Sequence, residues 1–218
     1  MEVGVRAWLL SFGLLCLGAV PAHANVSPTA ETRLKAYCAE IAKAVESQSI
    51  KPRLFVELGK GAKGKRWREF TEQKALDEAC QGACYQKAWL YFDKGDLVLA
   101  AFTFGDASGT WANNVDYYFY LNGHVAKDRS ALRRAGATDP GQPAAKPFLA
   151  EILRSRYYDP EGHRVGEDKP EVFRVQGDSQ RLIDGAKFME APWPRYTQVK
   201  DLPMAGLLRA MPPKPKKP

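Results

Sequence analysis

The sequence predicts an α+β fold: an N-terminal amphipathic helix packed on a curved, meandering antiparallel β-sheet, followed by a short C-terminal helix. Three observations predict it. One early segment repeats its apolar residues at the helical period. Three later pairs of apolar runs are each joined by a turn that contains glycine. The chain after residue 24 also has a length that suits one domain, 25–211, with room for a proper core.

Residues 29–48 read as the helix. Leu34, Tyr37, Cys38, Ile41 and Val45 recur at i, i+3, i+4, i+7 and i+11 and make one stripe. Ser27 or Thr29 can cap its start, beside Pro28. Residues 54–58 are a short apolar run and a strand. A loop rich in glycine and lysine follows, and 68–79 reads as a short helix or irregular turn.

From residue 85 the pattern changes to antiparallel strands. Residues 87–92 and 97–104 form one hairpin around Asp93-Lys94-Gly95-Asp96. Residues 115–121 and 124–133 form a second around Asn122-Gly123. Residues 148–158 and the chain from His163 form a third around Asp159-Pro160-Glu161-Gly162. Glycine stands in each turn because the backbone there needs φ > 0. Residues 135–147 have no apolar period and many breakers, so they read as a long connection. Near the end, Asp201 is expected to cap a helix over 202–210, with Leu202, Leu207 and Leu208 closing the core.

The first 24 residues read as a cleaved secretory signal peptide, with the mature protein starting at Asn25. Arg6 is the basic residue, 7–20 are an apolar run, and Ala22-His23-Ala24 is the small-x-small end. Leu15 before Cys16 is not the small residue of a lipid-anchor signal. The run is shorter than the roughly 20 residues needed to span a bilayer, and nothing after it is longer. The chain is therefore expected in the periplasm or outside the cell, not as an integral membrane protein and without nucleic acid as a partner.

The net charge of +7 is concentrated. Lys60, Lys63, Lys65, Arg66 and Arg68 carry five charges, and Lys214, Lys216 and Lys217 of the tail 212–218 carry three, so the rest of the chain is close to neutral. The tail reads as disordered, and the two stretches could give weak contact with anionic lipid or polymer. Residues 59–65 satisfy Gly-x4-Gly-Lys after a strand, but Arg66 stands where the magnesium-binding Ser or Thr belongs, so they read as a basic surface loop.

Three cysteines remain after cleavage, Cys38, Cys80 and Cys84, and export favours one disulfide among them. Cys80–Cys84 would close a tight local loop. A bridge from Cys38 to either of the others closes about 43 residues and restricts the unfolded chain by about 4 kcal/mol, which favours the long bridge. Cys-x3-Cys without a nearby histidine supports neither a redox pair nor a zinc site, and no cofactor, metal or catalytic residue is indicated.

The aromatic residues are the surplus. Alternation puts Val115, Tyr117, Phe119 and Leu121 on one face of their strand and Tyr118 and Tyr120 on the other. Trp89 and Tyr91 share a face on a neighbouring strand, and Trp111 precedes the first. His124 and His163 each follow the glycine of a hairpin turn. These seven residues, Trp89, Tyr91, Trp111, Tyr118, Tyr120, His124 and His163, are the candidate ligand contacts, set against a core face and a tyrosine ladder as the plainer reading.

Ser108-Gly109-Thr110-Trp111-Ala112, the strand Val115-Asp116-Tyr117-Tyr118-Phe119 and the turn Asn122-Gly123-His124 resemble a group of uncharacterised exported bacterial proteins. Those carry a Ser-Gly-Asp-Trp segment, an aromatic strand and an Asp-Gly turn. Trp67-Arg68-Glu69-Phe70 and Arg156-Tyr157-Tyr158-Asp159 are similar to further segments of that group, whereas Thr110 and residues 135–147 depart from it. The resemblance implies export and a β-rich fold, and it transfers no catalytic residue. The functional expectation is a non-enzymatic binding or interaction module that uses the aromatic sheet face, its partner a small molecule or an envelope protein. The alternative is a hydrolase acting on cell-envelope material.

Overall fold

The computed structural model describes residues 29–61, 64–80, 84–105, 107–137, 148–168, 170–174, 180–182 and 194–209. The expected leader 1–24, most of the long connection and the tail lie outside the described residues. Helix α1 (Ala30–Glu46) starts at Thr29, whose hydroxyl accepts the Thr32 backbone N–H at 3.2 Å. Its buried residues are Leu34, Cys38 and Ile41, all members of the predicted stripe.

The strands follow as β1 (Pro52–Gly61), β2 (Gly64–Phe70), β3 (Gln86–Asp93), β4 (Asp96–Gly105), β5 (Trp111–Phe119), β6 (Val125–Ala137), β7 (Phe148–Tyr158), β8 (Arg164–Val165), β9 (Glu171–Arg174) and β10 (Gln180–Leu182). Helix α2 (Gln73–Cys80) lies between β2 and β3, and α3 (Ala205–Arg209) closes the described chain. All ten strands join one antiparallel sheet in the order β10-β9-β7-β6-β5-β4-β3-β1-β2, with β8 beside β9 on β7. The three predicted hairpins are β3–β4, β5–β6 and β7–β8.

Three readings of the sequence are corrected here. The basic stretch is the turn end of a fourth hairpin: Leu54 pairs with Phe70 and Gly61 with Gly64. Lysine and glycine hid a strand that backbone pairing sustains, and an antiparallel hairpin has no helix N-terminus to hold a phosphate. The helix expected over 68–79 begins only at Gln73, because β2 runs to Phe70. Strand β6 reaches Ala137, so the long connection starts later than residue 135.

Each face of the sheet has its own cover. Leu34, Cys38 and Ile41 of α1 pack on Val98, Leu99, Tyr118 and Ala126, and Leu76 and Cys80 of α2 pack on Leu54, Val56 and Phe70. On the opposite face, Phe55, Leu90, Phe102, Val115, Tyr117 and Phe119 lie under Leu202, Met204 and Ala205 of the C-terminal segment 194–209, the strap. Two register shifts, between Tyr91 and Phe92 and between Tyr118 and Phe119, leave Val98 and Ala126 as the extra residues, both in the α1 cluster.

The cysteine pairing is a further correction. Cys80 and Cys84 are bonded and Cys38 is free and buried. Loop entropy favours a long bridge in the unfolded chain, but in the fold Cys38 belongs to the α1 cluster and Cys80 to the α2 cluster, over different strands.

The C-terminal end also differs from expectation. Asp201 closes a single 3-10 turn (Val199–Asp201), accepting the Gln198 backbone N–H at 3.0 Å and the Thr197 hydroxyl at 2.9 Å, rather than capping α3. Leu202 and the unpredicted Met204 fill the core, while Leu207 is 43% exposed, because α3 begins three residues later than expected and turns Leu207 outward. Among the described residues no helix is long and apolar enough to cross a membrane.

Candidate functional site

The site starts at the Asn122-Gly123 turn. Gly123 has φ +81°, which lets its N–H reach Tyr120 O at 2.8 Å. Asn122 fixes the turn from both sides. Its side-chain oxygen accepts the His124 N–H at 3.0 Å, and its amide nitrogen donates to Pro160 O of the β7–β8 turn at 3.0 Å. The strap then pairs with this turn: Val199 N–H donates to Gly123 O and Val125 N–H to Thr197 O, each at 2.9 Å.

Between the β3–β4 turn, the β5–β6 turn and the strap lies a cavity of about 460 Å³. Phe92, Leu121, Val199 and Leu208 give it apolar walls, while Asp96 and Lys200 place one charge of each sign in the lining. Leu121 is 75% exposed. The strand ends at Phe119, so Leu121 leaves the core face that alternation assigned to it and stands open beside the cavity. Burial pushes the Tyr120 hydroxyl up to about 12, so it stays protonated, and it donates to Tyr158 O at 2.8 Å.

The structure divides the seven predicted residues. Tyr120 lines the cavity, and Gln198, which also lines it, places its amide nitrogen 3.0 Å from His124 Nε2. The neutral His124 ring accepts there and carries its proton on Nδ1. His163 belongs to the neighbouring turn, whose Gly162 lies close to His124 Nδ1, and its own Nδ1 is 3.2 Å from Asp159. These three residues meet at one end of the sheet.

The other four do not. Tyr118 is 6% exposed beneath α1, and Tyr37 of α1 stacks on Tyr120 with ring centroids 5.8 Å apart. The aromatic face expected to meet a ligand is here the seat of the helix, because an apolar helical stripe needs an apolar floor. Trp89 is half-buried against the α2 cluster, Tyr91 against the α1 cluster, and Trp111 lies on the strap face. Sequence reasoning missed Gln198, Val199 and Lys200, for which no local signal exists, since only the strap pairing brings them to the turn. Among the described residues, no group of three His, Cys, Asp or Glu side chains converges as metal ligands would.

No family model, no curated protein and no solved structure matches this chain.

Proposed function

We propose that the chain is an exported, non-enzymatic binding module that holds a small amphipathic molecule in the cavity at the turn end of its sheet. The cavity beside an exposed Leu121 carries this reading: its volume is in the range of small-molecule sites, and an apolar side chain left open at its edge gains by being covered. The apolar walls would take the body of the ligand, and Lys200 or Asp96 its charged end. Export is supported by the pattern of residues 1–24 and by the Cys80–Cys84 disulfide, a bond that oxidising compartments favour.

The reading is tested by following backbone amide resonances while decanoate, an apolar chain with a carboxylate, is titrated in. The expected shifts cluster at Leu121, Gly123 and Lys200, and Leu121→Lys weakens binding by about tenfold while the melting temperature holds. Shifts scattered over the surface, or a Leu121→Lys variant that binds as well as the parent, would sink it.

A further inference from the structure

The face under the strap holds two buried polar side chains that bond to nothing. Asn113 is fully buried, and neither its amide nitrogen nor its amide oxygen has a hydrogen-bond partner. The indole Nε1 of Trp67 is buried and unpartnered as well. Buried polar groups in folded proteins are almost all paired, so two orphans on one face of one sheet call for a physical reason. A leucine would occupy the place of Asn113 without that penalty.

The two groups are joined by aromatic rings. Asn113 pairs in register with Phe104 of β4, Phe104 stacks on Phe102 at 5.4 Å, and Phe102 meets the Trp67 ring edge-on at 6.1 Å. Strands β1 and β3 lie between Trp67 and Phe102, so their contact means that the sheet curls toward the strap here. The run sits at the end of the sheet away from the Leu121 cavity, where β4 ends and β5 begins.

An asparagine side chain presents one acceptor and two donors in a plane. The edge that satisfies it has a donor and an acceptor side by side, as a carboxamide or a lactam has. The Trp67 N–H offers a further donor, and aromatic rings provide a surface for a flat body. We propose that this end of the strap face is a second binding site, for a small planar molecule with a carboxamide or lactam edge that Asn113 reads. A site built to bond such an edge rejects rings that lack it, because its own polar atoms would stay unpaired.

The test follows the side-chain amide resonances of Asn113 in the full chain while nicotinamide, uracil or toluene is added into the millimolar range. Nicotinamide and uracil are expected to move them and toluene to leave them in place. Asn113→Leu should abolish the binding and raise the melting temperature of the unliganded protein. Trp67→Phe keeps the ring, loses the donor, and should weaken binding by about five- to tenfold. Leu121→Lys should change none of this, which separates the site from the turn-end cavity. The proposal is overturned if neither amide probe moves the Asn113 resonances, if Asn113→Leu lowers the melting temperature, or if a high-resolution crystal structure shows ordered water alone completing the bonds of both side chains.

Discussion

Asp128 joins β6 to β7 under the strap. Arg156 donates through Nε to both of its oxygens, at 2.9 and 3.1 Å, and the Tyr158 hydroxyl donates at 2.8 Å. Both charged residues are 6% exposed, so removing one leaves the other desolvated and unpaired. Asp128→Ala is therefore expected to lower the unfolding free energy by about 3–5 kcal/mol, and Tyr158→Phe by about 1 kcal/mol, in urea titrations. Two other aspartates titrate in opposite senses. The Arg154 guanidinium, donating to Asp168 at 2.6 Å through two nitrogens, holds that carboxyl below its usual range. Its contribution is present above about pH 4, the unfolded value, and is lost as the pH falls through the folded value. Burial raises the carboxyl of Asp116 despite Arg129 nearby, so its ionised form opposes folding once the pH exceeds that raised value. Melting curves should show Asp168→Asn less stable than the parent at neutral pH and Asp116→Asn more stable, with both differences vanishing in strong acid. None of this was legible in the sequence: alternation gives a residue its face, but the partner on that face comes from a register that spans 28 residues between Asp128 and Arg156.

At the scale of elements, local chemistry was the readable part. The α1 stripe and the three glycine turns follow from periodicity and backbone freedom, and each appears where the residues placed it. The β1–β2 hairpin was hidden because its strands carry lysine and glycine where a periodic apolar signal is sought. The disulfide was misjudged because loop entropy describes the unfolded chain alone. Cys80–Cys84 closes only five residues, so its loss should cost about 2 kcal/mol, well below the long bridge. Urea melts of the Cys84→Ser variant, or of the parent with a dithiol reductant, check that figure. Cys38 is expected to resist iodoacetamide until the protein unfolds, since burial pushes its thiol up to about 11 and α1 closes over it.

For the whole molecule, the strap matters most. It adds hydrogen bonds to the β5–β6 turn, brings Gln198 and Lys200 to the cavity, and seats Met204, fully buried, on the aromatic face. Met204→Ala should cost about 2–5 kcal/mol by calorimetry, and decanoate binding should weaken with it, because the same segment builds the core and the cavity wall. Those contacts join sequence-distant parts of the chain, as the Tyr117 hydroxyl does with Pro194 O across 77 residues, and no local pattern announces them. The turn residues of the candidate site could be read in advance; the wall opposite them could not.

The seat of α1 has a consequence for the order of events in folding. The helix comes before every strand in the sequence, yet it rests on β4, β5 and β6, and Tyr37 donates to Phe119 O across 82 residues. A chain emerging from the ribosome therefore makes this helix well before its floor exists. Its apolar stripe must wait in water, or in the grip of a chaperone, until the middle strands have been synthesised and zipped together. The hairpins close quickly through near neighbours, whereas docking the helix demands a long loop closure. The first segment to be translated is thus among the last to settle.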